Sequence, residues 1–297
     1  MALLLYSLDE APVAGRLAKA SGLPSAPYQC HRFPDQELRL TLPIAEVASP
    51  VDTLVVYRSL DRPNDKLIEL LLIARHAREA GISRLLLVAP YLAYMRQDIA
   101  FHPGEVVSQR VIGAFLAGLF DAVITVDPHL HRTHSLIEAI PVDHAIALQG
   151  SPRLAELIGR RHASPLLIGP DAESRQWVEV AARRLGCAYG VCSKVRRGDR
   201  DVDITLPSMP IAGQQVVLMD DIASSGRTLA RACERLLQAG ALSVDVAVTH
   251  ALFADDALDI LRAAGVGEIW STDCISHATN AIDMAPVLSE ALLPLLS

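Results

Sequence analysis

Val216-Val217-Leu218-Met219-Asp220-Asp221-Ile222-Ala223-Ser224-Ser225-Gly226-Arg227-Thr228-Leu229 decides how the chain is read. Four apolar residues run into two carboxylates. Small residues follow from Ala223 to Gly226, and Thr228 and Leu229 open a helical pattern. Read physically, a buried strand delivers Asp220 and Asp221 to its C-terminal end. The small residues let the backbone close around an anion at a helix N-terminus. Amides and hydroxyls of Ser224, Ser225, Gly226 and Thr228 can donate to a phosphate. The carboxylates can accept from vicinal hydroxyls, or hold them through Mg2+. A sugar phosphate carries both groups. The plain alternative, an acidic turn before a helix, does not call for Ser-Ser-Gly-Arg-Thr after paired carboxylates.

The rest of the chain repeats this style. The stretch forms one βαβ unit with a helix from about Gly226 to Ala239 and a strand at Val244–Thr249. Apolar runs at Ala2–Ser7, Thr53–Tyr57, Arg84–Ala89, Asp121–Val126 and Pro165–Ile168 predict further strands, separated by helical spacings. Leu38, Leu40 and Leu42 alternate with Arg39 and Thr41, which predicts a half-buried strand after a turn at Pro34-Asp35. Strands alternating with helices argue for two parallel-sheet domains, which bind ligands outside the carboxyl ends of their strands. The pattern breaks around Pro141–Ser151. The expected domains are therefore residues 1–144 and 145–284, with a final helix over 285–297 able to pack back on the first.

Composition agrees. Of 297 residues, 51% are hydrophobic but only 4% aromatic, the aliphatic signature of parallel sheets under helices. A net charge of −7 supplies no basic field for nucleic acid. Apolar runs are short and broken, as at Pro90, so none is expected to span a membrane. The five cysteines lack CxxC spacing, which argues against zinc and for a reducing compartment. No secretory leader opens the sequence, and a cytoplasmic protein is expected.

Other clusters carry chemistry at the ends of predicted strands. Phe33-Pro34-Asp35-Gln36-Glu37 joins an aromatic ring to two carboxylates around a predicted turn. Arg96-Gln97-Asp98 follows a Pro-Tyr strand end. Asp127-Pro128-His129 opens a run that also holds His131 and His134. Gly169-Pro170-Asp171 ends another strand. Lys194 and Arg196, at alternate positions of an extended segment, point the same way and can meet one polyanion. Each alone reads as well as a solvated turn.

Together, in this order, they resemble the ribose-phosphate pyrophosphokinases. The opening stretch resembles the phosphoribosyl pyrophosphate motif that this family shares with phosphoribosyltransferases. The resemblance implies an α/β chain of two phosphoribosyltransferase-like domains, each a mainly parallel sheet flanked by helices. It implies that ATP is held by Phe33, Asp35, Glu37, Arg96, Gln97 and Asp98, and that ribose 5-phosphate is held by Asp220, Asp221, Ser224, Ser225, Gly226, Arg227 and Thr228. It places His129 and Asp171 on Mg2+ and makes Lys194 and Arg196 catalytic. It also implies a homo-oligomer, at least a dimer, with the adenine loop shared across subunits. Three positions depart from the pattern. Gln36 stands where Gly is usual, Glu173-Ser174-Arg175 stands where a Gly-Gly or Gly-Ala is usual, and Arg227 replaces a Gly. These departures keep two rival readings open. One is a phosphoribosyltransferase that consumes the same sugar pyrophosphate. The other is a regulatory paralogue that binds nucleotide without turnover.

Overall fold

A computed structural model describes residues 1–44, 49–130, 132–196 and 202–296. The chain divides into two units, Met1–Leu148 together with the segment from Ala285 on, and Gln149–Met284.

The first unit alternates strands and helices: β1 (Ala2–Ser7), α1 (Ala11–Ser21), β2 (Ser25–Arg32), β3 (Leu38–Thr41), β4 (Thr53–Tyr57), α2 (Pro63–Glu79), β5 (Arg84–Val88), α3 (Ser108–Ala117), β6 (Ala122–Val126), α4 (Leu136–Ala139) and β7 (His144–Leu148). Its sheet runs β3-β2-β1-β4-β5-β6-β7. All neighbours are parallel except β2 and β3, which form an antiparallel edge hairpin. The strands β4 and β6 are buried along their whole length because helices cover both faces. At the edge, β3 alternates half-buried leucines with exposed Arg39 and Thr41. Helix α1 stops at Gly22 and α2 at Gly81, both with positive φ, where glycine carries no Cβ penalty. Gly113 of α3 lies against α4, where an added Cβ would fall 1.8 Å from the Ala139 carbonyl oxygen.

The second unit contains α5 (Ser151–Arg161), β8 (Leu166–Gly169), α6 (Arg175–Leu185), β9 (Tyr189–Val191), β10 (Ser193–Arg196), β11 (Val202–Thr205), β12 (Gln215–Ala223), α7 (Arg227–Gln238), β13 (Ser243–Ala251), α8 (Ala257–Ala263), β14 (Ile269–Thr272) and β15 (Asn280–Ile282). Its main sheet, β15-β14-β13-β12-β8-β9, is parallel throughout. β10 and β11 form a separate antiparallel pair. The core joins Ile168, Val216, Leu218, Val246 and Val248 to Leu229, Cys233 and Leu236 of α7. The chain then returns to the first unit, where α9 (Ala285–Leu292) packs on α1.

Three expectations need correction. The break around Pro141–Ser151 contains β7, which pairs with β6, so the first unit runs to Leu148 and not to residue 144. As an edge strand, β7 is only half-buried and loses the apolar run that marks its neighbours. The strand expected at Val216–Met219 continues to Ala223, because Ile222 and Ala223 still pair with His250 and Ala251. The single strand expected over 188–193 is two, and β10 leaves the main sheet. Among the described residues, no helix is long and apolar enough to cross a membrane.

Candidate active site

In the second unit, the ladder of β12 carries the opening stretch to the C-terminal edge of the sheet. A cavity of about 130 Å3 opens there, lined by Asp171, Asp220 and the run Ile222 to Leu229. Gly226 caps α7 with φ of +68°, and an added Cβ would come 3.1 Å from the Ala257 carbonyl oxygen. Only glycine takes that left-handed turn freely, which aims the first amides of α7 at the cavity. The loop is tied to the end of β13, since Phe253 and Ala254 donate backbone hydrogen bonds to Ala223 and Ser224.

The two carboxylates part company. Successive residues of a strand face opposite sides. Asp220 lines the cavity, whereas Asp221 is 2% exposed and does not. The Asp221 amide donates to Asp220 Oδ1 at 3.0 Å. Burial, and then the Asp221 and Asp171 carboxylates, push the Asp220 carboxyl well above its ordinary range. Its negative charge is therefore costly as the site stands.

Asp171 ends the loop after β8. Its side chain accepts from the Glu173 amide at 3.1 Å and caps a short turn. Ser174 is fully buried and donates to the Asp171 carbonyl at 2.6 Å. Its hydroxyl sits where a Cβ on Gly169 would fall, 2.1 Å away. Ser174 therefore closes the loop with a hydrogen bond. Arg227 is exposed at the first position of α7. Lys194 and Arg196 lie on β10, paired with Ile204 and Val202. Their side chains lie outside the described residues.

In the first unit, the turn between β2 and β3 is exposed from His31 to Glu37. Phe33 meets the edge of His31 at 4.7 Å and lies 5.8 Å from the Arg39 guanidinium. Asp35 Oδ1 accepts the Glu37 amide at 3.2 Å, and the Gln36 amide donates to the Phe33 carbonyl. Gln36 has φ of +76°, so the turn keeps the conformation that favours glycine. Replacing Gln36 by Gly is expected to raise stability by about 1 kcal/mol, the left-handed penalty of a side chain. Urea unfolding of Gln36→Gly against the parent measures it.

Arg96 is exposed and Gln97 half-buried in the loop after β5. His129 is half-buried in the loop after β6, and the two strands are neighbours in the sheet. His134 is exposed, and His131 lies outside the described residues. Asp98 lies in the same loop as Arg96 and Gln97. Its side chain is 2% exposed and accepts from the Arg132 amide at 3.0 Å and from its Nη1 at 2.9 Å. Burial pushes its carboxyl up, but the Arg132 hydrogen bonds outweigh that and hold it below the usual range. Asp98 is thus buried and held by Arg132.

Sequence reasoning missed one cluster, at the carboxyl ends of the adjacent strands β1 and β4. Arg58 is 4% exposed. Its Nη1 reaches Asp9 Oδ1 at 2.9 Å and Glu10 Oε2 at 3.1 Å, and its Nη2 reaches Glu69 Oε1 at 3.2 Å. Nε stands 2.8 Å from Glu69 Oε2 at an angle too poor for a hydrogen bond. The Tyr28 hydroxyl donates to Glu69 at 2.6 Å. Lys66 donates to the Ser59 carbonyl at 2.7 Å and pairs with Asp61. Nothing in local spacing joins these residues, although a strand end at Tyr57 followed by an arginine was a readable sign.

Comparison with known proteins places the chain. The model for the N-terminal domain of ribose phosphate pyrophosphokinase matches residues 3–119, and that for the phosphoribosyl transferase domain matches residues 147–262. A ribose-phosphate pyrophosphokinase of Methanopyrus kandleri is 31% identical over 98% of both chains. One of Halobacterium salinarum is 32% identical over 98% of this chain and 100% of its own. In fold, the crystal structure of phosphoribosylpyrophosphate synthetase from Mycobacterium smegmatis matches with a TM-score of 0.84 at 20% identity, over 99% of this chain and 98% of that one. With relatives more than 30% identical along nearly their whole length, the chain belongs to the ribose-phosphate pyrophosphokinase family.

Proposed function

We propose that the chain transfers the pyrophosphoryl group of ATP to the C1 hydroxyl of ribose 5-phosphate. The C1 oxygen attacks the β-phosphorus, the bond from that phosphorus to the α,β-bridging oxygen breaks, and the C1 hydroxyl gives up its proton. The products are phosphoribosyl pyrophosphate and AMP. The observation that carries this reading is the cavity after β12, where a carboxylate faces the amides of a helix N-terminus.

In this reading the 5-phosphate binds the amides and hydroxyls of Ser224, Ser225, Gly226 and Thr228, with Arg227 beside it. Asp220 accepts from the ribose hydroxyls, and Asp221 acts on the ligand through Asp220. Lys194, Arg196 and Arg96 neutralise the triphosphate, and such transfer depends on positioning and charge more than on covalent chemistry. Phe33, Asp35, Glu37 and Gln97 hold the adenine. The exposed Phe33 turn at a sheet edge supports a homo-oligomer, at least a dimer, in which that turn serves a neighbouring copy.

The residues fit Mg2+. Asp171 and Asp220 line one cavity with oxygen donors only, and their mutual repulsion favours a cation between them. Among the described residues no three His, Cys, Asp or Glu side chains form a complete ligand set. One or two carboxylates, completed by water and substrate oxygens, is the usual arrangement for Mg2+. Asp171 would hold the ion at this cavity, and His129 would hold Mg2+ on the nucleotide side. When bound, Mg2+ supplies charge neutralisation to the phosphoryl oxygens. All five cysteines are free thiols, which supports a cytoplasmic enzyme.

Incubation with ATP, ribose 5-phosphate and Mg2+ tests the proposal. AMP and phosphoribosyl pyrophosphate should appear in equal amounts. Intact nucleotide binding without product would favour the regulatory reading.

A further inference from the structure

We propose that Gln109 and Arg132 are positioning residues that bolt the loop bearing Arg96 and Gln97 to the loop bearing His129. The proposal rests on the reading above that these loops hold the nucleotide.

Gln109 lies in the first turn of α3 and is 3% exposed. It bonds in three directions. Its Nε2 donates to the Met95 carbonyl at 3.1 Å. Its Oε1 accepts from the Thr133 hydroxyl at 2.9 Å. Its backbone amide donates to the Gln97 carbonyl at 3.2 Å. Ser108, one residue earlier, donates its hydroxyl to Gln97 Oε1 at 2.9 Å. The Asp98–Arg132 pair joins the same two loops a second time.

One loop is therefore held at Met95, Gln97 and Asp98, on both sides of Arg96. The other is held at Arg132 and Thr133, three and four residues after His129. Arg96 is exposed on a backbone whose neighbours are fixed. Fixing a loop before the ligand arrives removes an ordering cost that binding would otherwise bear.

Backbone conformation supports the same conclusion independently. Each loop is entered through a residue with positive φ that is not glycine, Tyr94 at +66° and Asp127 at +36°. Such strain persists only where the surroundings over-determine it. The bolt is the part of those surroundings that spans both loops. A burial-only role for Gln109 would be met by an apolar side chain and would not need its two side-chain hydrogen bonds.

The test uses the full-length protein and the variants Gln109→Met, Thr133→Val, Arg132→Met and Arg132→Lys. Binding of a non-hydrolysable ATP analogue with Mg2+ is measured by calorimetry, and steady-state constants are measured for both substrates. Circular dichroism and melting identify the folded variants. Removing outer partners that orient a binding group commonly costs roughly 10- to 100-fold in affinity. Losses of that size are expected for the analogue and for KM of ATP, while KM of ribose 5-phosphate stays within about twofold. Arg132→Lys should recover part of the loss seen in Arg132→Met. Thr133→Val deletes one hydroxyl and decides the matter if Gln109→Met does not fold. Folded variants with unchanged analogue affinity would overturn the proposal. Loss of both KM values together would also overturn it, because that is the mark of general destabilisation. A parent protein without turnover would instead overturn the functional reading, and the analogue affinities would still decide this one.

Discussion

Asp220→Asn is expected to lower product formation by roughly 10²–10³-fold, the usual effect of deleting one preorganised electrostatic partner, while raising the melting temperature. The two effects have opposite signs because one charge causes both. Asp220 is held beside Asp221 and Asp171, and burial and those carboxylates push its carboxyl well above the ordinary range. A group with a raised folded pKa stabilises fully below its unfolded pKa, and that stability is lost as pH rises through the folded value. At neutral pH the Asp220 charge is therefore a cost to folding, which the neutral amide removes. In the proposed function, binding of the sugar and of Mg2+ uses that same charge. The gain in stability should shrink as pH falls towards the ordinary carboxylate range. Thermal melts at acidic and neutral pH, alongside turnover, check both signs. A variant that loses stability at neutral pH would show that Asp220 is a structural acid.

Arg58→Met is expected to destabilise the first unit by about 3–5 kcal/mol, the cost of leaving a buried charge without its partner. The side chains of Arg58 and Glu69 are each 5% exposed and that of Glu10 is 9% exposed. Burial opposes the Arg58 charge, but Tyr28, Glu10, Glu69 and Asp9 more than offset this and hold the guanidinium protonated. Without it, two buried carboxylates face each other across an apolar side chain. The same cluster predicts a pH dependence for the parent. Burial pushes Glu10 up to about 7 from an ordinary 4.5, against the pull of Arg58 and Lys66. A raised carboxylate pKa means that Glu10 contributes fully below about 4.5 and loses that contribution as pH rises to about 7. The difference is worth roughly 3 kcal/mol across that window. Urea unfolding at both ends of the window, in the parent and in Glu10→Gln, measures it. The variant should show a flatter profile. Equal slopes would remove Glu10 from the account.

Much of this was legible in the sequence. Val216–Met219, Thr53–Tyr57 and Ala122–Val126 are apolar runs, broken only by Thr53 and Thr125, and such runs exist because these strands are covered on both faces. The small residues at Ser224–Gly226 announced the cradle, and the positive φ of Gly226 is what they permit. Gln36 was legible as a departure from glycine, and its φ of +76° gives that departure a physical cost. Edge elements were harder to read. β7 and β15 are short and partly exposed, so they lack a sustained apolar run. Side-chain pairing was hardest of all. Asp98 reads as a ligand-binding acid beside Arg96, yet its partner Arg132 lies 34 residues on. Arg58 meets Asp9 and Glu10 across 49 and 48 residues, a distance no local pattern encodes. Asp221 reads as a twin of Asp220, but strand alternation buries it.

The central claim is that a whole pyrophosphoryl group moves to the sugar. ATP labelled at its β-phosphorus, given with ribose 5-phosphate and Mg2+, tests this most directly. The prediction is that the label appears in sugar-bound pyrophosphate, with one AMP released for each labelled product. Label that stays in ATP, or a protein that only consumes preformed phosphoribosyl pyrophosphate when a nitrogenous base is added, would contradict it.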